Sequence, residues 1–222
     1  MEVILDTANL DEIRHFVDYY PLSGVTTNPS ILSKEHDPDF WGRLEKIKDI
    51  IGSRSLHVQV TAMNSEGMLE EAETIVNRLG KDTYIKIPVN EEGLKTIRIA
   101  HKDGYCLTAT AIYFAHQGML AIAAGADCLA PYYNRICNLN IDANKVIHDL
   151  SQLIKIQQCS TRIVAASFRN VGQVMNALLS GADAVTASAS IYRDMVQSPI
   201  IEDTIEKFSQ DWSKTYGTMQ IT

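Results

Sequence analysis

Asp82-Thr83-Tyr84-Ile85-Lys86-Ile87-Pro88-Val89-Asn90-Glu91 places a lysine at the centre of an apolar run. A run of that length between polar boundaries reads as a buried strand. Lysine is rarely buried in full without a partner or a task. Taken alone, the pattern also fits an edge-strand lysine whose stem packs while its head reaches water. The flanks decide how the strand is used. Upstream, Met68, Leu69, Ala72, Ile75, Val76 and Leu79 follow one helix face, and Gly80 supplies the left-handed stop before the strand.

The unit recurs. Short β-branched or apolar runs stand at Glu2–Asp6, Gly24–Thr27, Leu56–Val60, Tyr84–Pro88, Tyr105–Thr110, Cys128–Tyr132, Arg162–Ala166 and Ala184–Ala187, their starts 21 to 34 residues apart. That is the span of one strand with one helix. Val146, Ile147, Leu150, Leu153 and Ile154 make a second helix face, and Val171, Val174, Met175, Leu178 and Leu179 a third. Gly104, Gly125 and Gly181 repeat the part of Gly80. Eight units without a break in composition predict an α/β fold, a (β/α)8 TIM barrel built by residues 1–222 as one domain. A doubly wound open sheet is the competing architecture, but no GxGxxG follows the first strand. One helix is surplus. After Pro199, Ile205, Phe208, Trp212 and Tyr216 form an additional C-terminal amphipathic stripe, to be covered by its own barrel or by a neighbouring subunit.

The 222 residues are 45% hydrophobic and 21% charged, a balance that fits neither a disordered chain nor a disulfide scaffold. A net charge of −7 with no basic block argues against a nucleic-acid partner, yet leaves room for a few cations focused on a small anion. Cys106, Cys128, Cys137 and Cys159 show neither CxxC nor metal-ligand spacing. Cys106 and Cys128 read as small buried thiols, which suits a reducing cytoplasm. Met1–Asp6 lacks the basic segment of a secretion signal, and no apolar run has membrane-spanning length.

In a barrel of this kind the chemistry gathers at the carboxyl ends of the strands. Those ends hold Asp6, Thr26-Thr27-Asn28, Gln59, Lys86, Thr110, Tyr132 to Arg135, and Ser167 to Arg169. Any one of them alone reads as a cap or a satisfied polar group; their convergence on one mouth does not. Alternation sends Ile85 and Ile87 to the helices and Lys86 inward. Burial there favours the neutral amine, the form that attacks a carbonyl to give a Schiff base. Asp6 is the nearby carboxylate, expected within reach of substrate hydroxyls rather than in a tight pair with Lys86. Ala165-Ala166-Ser167-Phe168-Arg169-Asn170 ends a strand and opens a helix, a setting suited to phosphate, with Arg135 as a second cation. Ser167 and Arg169 are equally readable as a cap and a surface charge.

Leu5-Asp6-Thr7-Ala8-Asn9, Gly24-Val25-Thr26-Thr27-Asn28-Pro29-Ser30, Ile85-Lys86-Ile87-Pro88, Ala130-Pro131-Tyr132-Tyr133-Asn134-Arg135 and Ala166-Ser167-Phe168-Arg169 resemble the small transaldolase family, over essentially the whole chain. Within it the sequence is most similar to the fructose-6-phosphate aldolase branch. The resemblance implies class I aldol chemistry on a sugar phosphate, with Lys86 as the Schiff-base residue and no metal or other cofactor. Asp6, Asn28 and Thr110 match positions that hold and protonate the three-carbon unit; Arg135, Ser167 and Arg169 match positions that hold phosphate. Thr26 joins this substrate-binding set. The transferase branch usually has glutamate and phenylalanine where this chain has Gln59 and Tyr132; the aldolase branch has glutamine and tyrosine, the phenol placing the catalytic water. The resemblance also implies a homo-oligomer, a pentamer or decamer, with the last helix reaching to a neighbour. Tyr133 and Cys137-Asn138-Leu139-Asn140 depart from the family's usual loop and are expected at the mouth. Two rivals stand beside this reading: another lysine-dependent barrel enzyme, which needs a second lysine at a strand centre, and a non-catalytic phosphosugar binder.

Overall fold

The computed structural model describes residues 1–221. Eight parallel strands close in sequence order: β1 (Glu2–Asp6), β2 (Leu22–Thr26), β3 (Ser55–Gln59), β4 (Tyr84–Pro88), β5 (Cys106–Ile112), β6 (Cys128–Pro131), β7 (Arg162–Ala165) and β8 (Ala184–Ala187), the last pairing back to β1. The helices between them are α1 (Leu10–Tyr19), α2 (Pro29–Lys34), α3 (Phe40–Ile51), α4 (Ser65–Leu79), α5 (Glu91–Lys102), α6 (Ala115–Ala124), α7 (Tyr133–Asn138), α8 (Ala143–Gln157), α9 (Val171–Leu179), α10 (Ala189–Val196) and α11 (Pro199–Tyr216). This is the (β/α)8 barrel with an added C-terminal helix. All eight expected strands are present; β1, β4 and β8 have the expected bounds, and the ends of the others are displaced by no more than two residues. β5 runs on to Ile112 because Ala111 takes φ +57° and the register shifts there, a bulge that the apolar pattern does not reveal.

Two apolar layers result from strand alternation. The larger lies between barrel and helices and includes Leu5, Val25, Leu56, Val58, Ile85, Ile87, Leu107 and Leu129 with the α4 stripe Met68, Ala72, Ile75, Val76 and Leu79. A smaller layer fills the lower barrel interior with Ile4, Cys128, Val164 and Ala184 beside Tyr84. Each buried isoleucine contributes about 1.5–3 kcal/mol. Sliding β4 by one residue would turn Ile85 and Ile87 inward and Lys86 out among the helices, so packing of the outer layer enforces the lysine's direction.

Three expectations are corrected. On α9 only Val174 and Ala177 are buried; Met175 and Leu179 are exposed because a nine-residue helix offers the barrel one narrow line. Tyr133 does not line the mouth: it is buried in the outer layer with its hydroxyl donating to Asn144 Oδ1 at 2.7 Å. Cys106 is half-buried, whereas Cys128 is buried as expected. The α11 helix contains no buried residue, and Ile205, Phe208 and Tyr216 stand open to solvent. Its own barrel therefore does not cover the stripe.

Candidate active site

A cavity of about 390 Å³ occupies the carboxyl end of the barrel, lined among others by Asp6, Thr26, Asn28, Gln59, Lys86, Tyr132, Arg135 and Ser167. Eight of the ten residues singled out from the sequence are thus brought together. Lys86 is 5% exposed, and Nζ donates to the Thr27 carbonyl oxygen at 2.8 Å. Its strand neighbours at the same level are Gln59 on β3 and Thr108 on β5. Burial lowers its pKa below the ordinary lysine value, and the Asp6 charge offsets part of that.

Asp6 forms no ion pair with Lys86 within 4.0 Å; its Oδ1 accepts from Thr26 Oγ1 at 2.6 Å, and the Thr26 and Thr186 hydroxyls lie 2.6 Å apart. Burial raises the Asp6 pKa, while Lys86 and the Thr26 hydrogen bond pull it back. A carboxyl held in this way can exchange a proton without neutralising the amine's nucleophilicity.

Across the cavity, the Tyr132 hydroxyl is 2.8 Å from Thr110 Oγ1. Thr110 is fully buried and reaches the cavity through this phenol. Burial raises the Tyr132 pKa, opposed by that hydrogen bond and by the Arg135 guanidinium, which lies 4.7 Å over the ring. Arg135 also donates from Nη1 to the Tyr113 hydroxyl at 3.4 Å. Gln59 Oε1 is buried with no hydrogen-bond partner, an acceptor facing unmet demand.

The loops after β6 and β7 are stitched together: Tyr133 N–H donates to Ala166 O at 2.8 Å and Asn134 N–H to Ser167 O at 2.9 Å. Ser167 has φ +64°, an uncommon conformation for a non-glycine residue, and it lines the cavity. Asn28 Oδ1 caps α2 by accepting from Ile31 N–H at 3.0 Å, which leaves its amide nitrogen to serve the cavity. Arg169 stands apart, exposed at the α9 entrance, with its backbone N–H donating to Gln173 Oε1.

Sequence reasoning missed His57, Thr108 and Thr186, which also line the cavity. Each lies inside a strand, two residues before Gln59, Thr110 and Ser188 respectively. The signal was alternation carried one step deeper: residues in phase with a strand-end polar group share its inward face.

Comparison with known proteins bears on the same residues. The model of the transaldolase/fructose-6-phosphate aldolase family matches residues 3–219. A probable fructose-6-phosphate aldolase of Streptococcus pneumoniae is 49% identical over 213 residues, 96% of each chain. A barrel whose interior lysine rests on a backbone carbonyl, matched to that family from end to end, belongs to the transaldolase/fructose-6-phosphate aldolase family.

Proposed function

We propose that this protein is a class I aldolase that cleaves fructose 6-phosphate to dihydroxyacetone and glyceraldehyde 3-phosphate, and forms it from them. The observation that carries the reading is Lys86: a desolvated amine in the cavity, hydrogen-bonded to a carbonyl rather than paired with an acid. Nζ attacks the ketose C2, and loss of water gives an iminium that acts as an electron sink. A base takes the C4 hydroxyl proton, the C3–C4 bond breaks, and its electron pair becomes the enamine held on Lys86. Protonation at C3 and hydrolysis release dihydroxyacetone. The Tyr132–Thr110 pair holds the water that moves these protons, and Gln59 shares that water through its unpartnered Oε1. Asp6, Thr26 and Asn28 hold the three-carbon unit; Arg135 and Ser167 take the phosphate, with Arg169 joining from the α9 entrance if its side chain turns inward. The enzyme works in the cytoplasm as a homo-oligomer, a pentamer or decamer, with α11 covered by a neighbour.

Transaldolase activity is the second reading, because the family covers both reactions. The amide of Gln59, in place of a titratable carboxylate, favours the lyase. Supplying fructose 6-phosphate with and without erythrose 4-phosphate and following glyceraldehyde 3-phosphate separates them. Turnover without acceptor supports the lyase; strict acceptor dependence overturns it. Borohydride trapping of an adduct that disappears in Lys86→Ala tests the Schiff base itself, and no adduct leaves only a phosphosugar binder.

A further inference from the structure

The loops after β6 and β7, which carry Arg135 and Ser167, are joined by more than backbone. Gln173 stands in the first turn of α9, and both halves of its amide are engaged. Its Oε1 accepts from the Arg169 N–H at 2.8 Å, and its Nε2 donates to Asn134 Oδ1 at 3.0 Å. Asn134 in turn donates its backbone N–H to the Ser167 carbonyl oxygen at 2.9 Å. These bonds close a ring from Gln173 through Asn134 to Ser167, returning along the chain to Arg169. Inside that ring sits Ser167, the residue at φ +64°.

Resting on the reading of Arg135 and Ser167 as the phosphate holders, we propose that Gln173 is a positioning residue that clamps their two loops at the spacing a sugar phosphate needs. Helix capping does not account for it. The cap of α9 is Asn170, whose Oδ1 accepts from the Gln173 backbone N–H at 3.0 Å. The Oε1 bond to Arg169 alone would be a reinforcement of that cap. The Nε2 bond is not, because it leaves the helix for α7 and a residue 39 positions earlier in the chain.

A left-handed serine persists only where its surroundings over-determine it. The segment from Ser167 to Arg169 is pinned at both ends, the Ser167 carbonyl by Asn134 and the Arg169 N–H by Gln173. Whatever fixes that backbone also aims the Ser167 side chain, which lines the cavity. On the facing loop Arg135 directly follows Asn134, so the same Nε2 bond steadies the turn from which the guanidinium reaches the cavity. Donors ordered before the ligand arrives lose less freedom on binding it. Gln173 itself does not line the cavity and acts through these partners.

The test compares kcat/KM for glyceraldehyde 3-phosphate and for glyceraldehyde, each joined to dihydroxyacetone, beside the Kd of inorganic phosphate from a phosphorus NMR titration. Gln173→Met is expected to lower the phosphorylated-to-unphosphorylated ratio at least about fivefold, through the KM of glyceraldehyde 3-phosphate, and to weaken inorganic phosphate by a similar factor. Loss of folded protein lowers both rates alike and leaves the ratio where it was. Asn134→Ala opens the ring at its other side chain and is expected to act alike, the double variant losing no more than the larger single. A ratio unchanged in Gln173→Met, or two losses that multiply in the double variant, overturns the clamp. A wild type that joins neither aldehyde to dihydroxyacetone overturns the aldolase reading, and phosphate affinity then decides the clamp by itself. A weakened Kd in Gln173→Met sustains it; an unchanged Kd, or no phosphate binding by the wild type, overturns it.

Discussion

Burying a titratable nitrogen inside a barrel costs stability, and Lys86 and His57 each show this in a measurable way. Burial lowers the Lys86 pKa, so the folded state releases its proton at a pH where the unfolded chain still holds it. Stability then rises with pH between the depressed value and the ordinary one near 10.5. Lys86→Met removes both the desolvated charge and the nucleophile. We expect activity to fall on the order of 10⁴-fold or more while the folded state gains on the order of 1–3 kcal/mol, read as a higher urea midpoint. A variant both inactive and destabilised would contradict the account of the buried amine. His57 runs over a different window. Its pKa drops from 6.5 to about 3, so below pH 6.5 the unfolded state binds a proton that the folded state refuses. That stability is complete above pH 6.5 and is lost as pH falls toward 3, amounting to about 4–5 kcal/mol across the window. Urea midpoints at pH 7 and pH 4.5 should therefore converge in His57→Phe relative to wild type. At this scale the sequence was legible where a polar residue ended a strand. It was missed at His57, because the alternation that turns Gln59 inward had to be carried two residues back along the strand, past the apolar Val58.

Elements set how closely the Lys86 strand can be held. The first turn of α5 lies against the end of β4, and a Cβ added at Gly93 would collide with the Pro88 carbonyl oxygen and approach the carbonyl carbon at 3.0 Å. Backbone cannot yield there as a flexible side chain can. Asn90 Oδ1 also accepts from Gly93 N–H at 2.8 Å, tying the cap to the same turn. Gly93→Ala should therefore cost about 1–3 kcal/mol and lower kcat by moving the lysine, although residue 93 touches no substrate. Urea unfolding and steady-state kinetics on the one variant check both parts, and a fully stable, fully active Gly93→Ala would remove the argument. The strands were readable because each is a short apolar run closed by turn residues, as in Tyr84–Pro88. The β5 bulge was not, since Ala111 carries no sign of its positive φ. Nor was the exposure of Met175 and Leu179, because an apolar periodicity records which residues could be buried and not how wide a face the barrel accepts.

For the whole molecule the unsettled surface is α11. Its length of 18 residues gives about 27 Å of helix at 1.5 Å per residue, all of it without a buried side chain. Ile201, Ile205, Phe208 and Tyr216 are exposed, and Trp212, tilted against Tyr216 with ring centroids 4.2 Å apart, has its indole N–H buried without an acceptor. An apolar stripe of that extent is unusual on a chain that stays monomeric, and the orphaned indole donor asks for a partner atom. If a second copy covers it, the helix stabilises the assembly far more than the barrel it belongs to. Phe208→Asp combined with Ile205→Asp should then shift sedimentation from a multiple of 24.7 kDa to the single chain. The barrel's far-ultraviolet circular dichroism should be retained, because neither side chain contributes to either apolar layer. The cavity is lined by residues up to Thr186 and by none from α11, so borohydride trapping on Lys86 should persist in the dissociated form. A variant that still sediments as the parent assembly would show that the stripe is not what joins the copies.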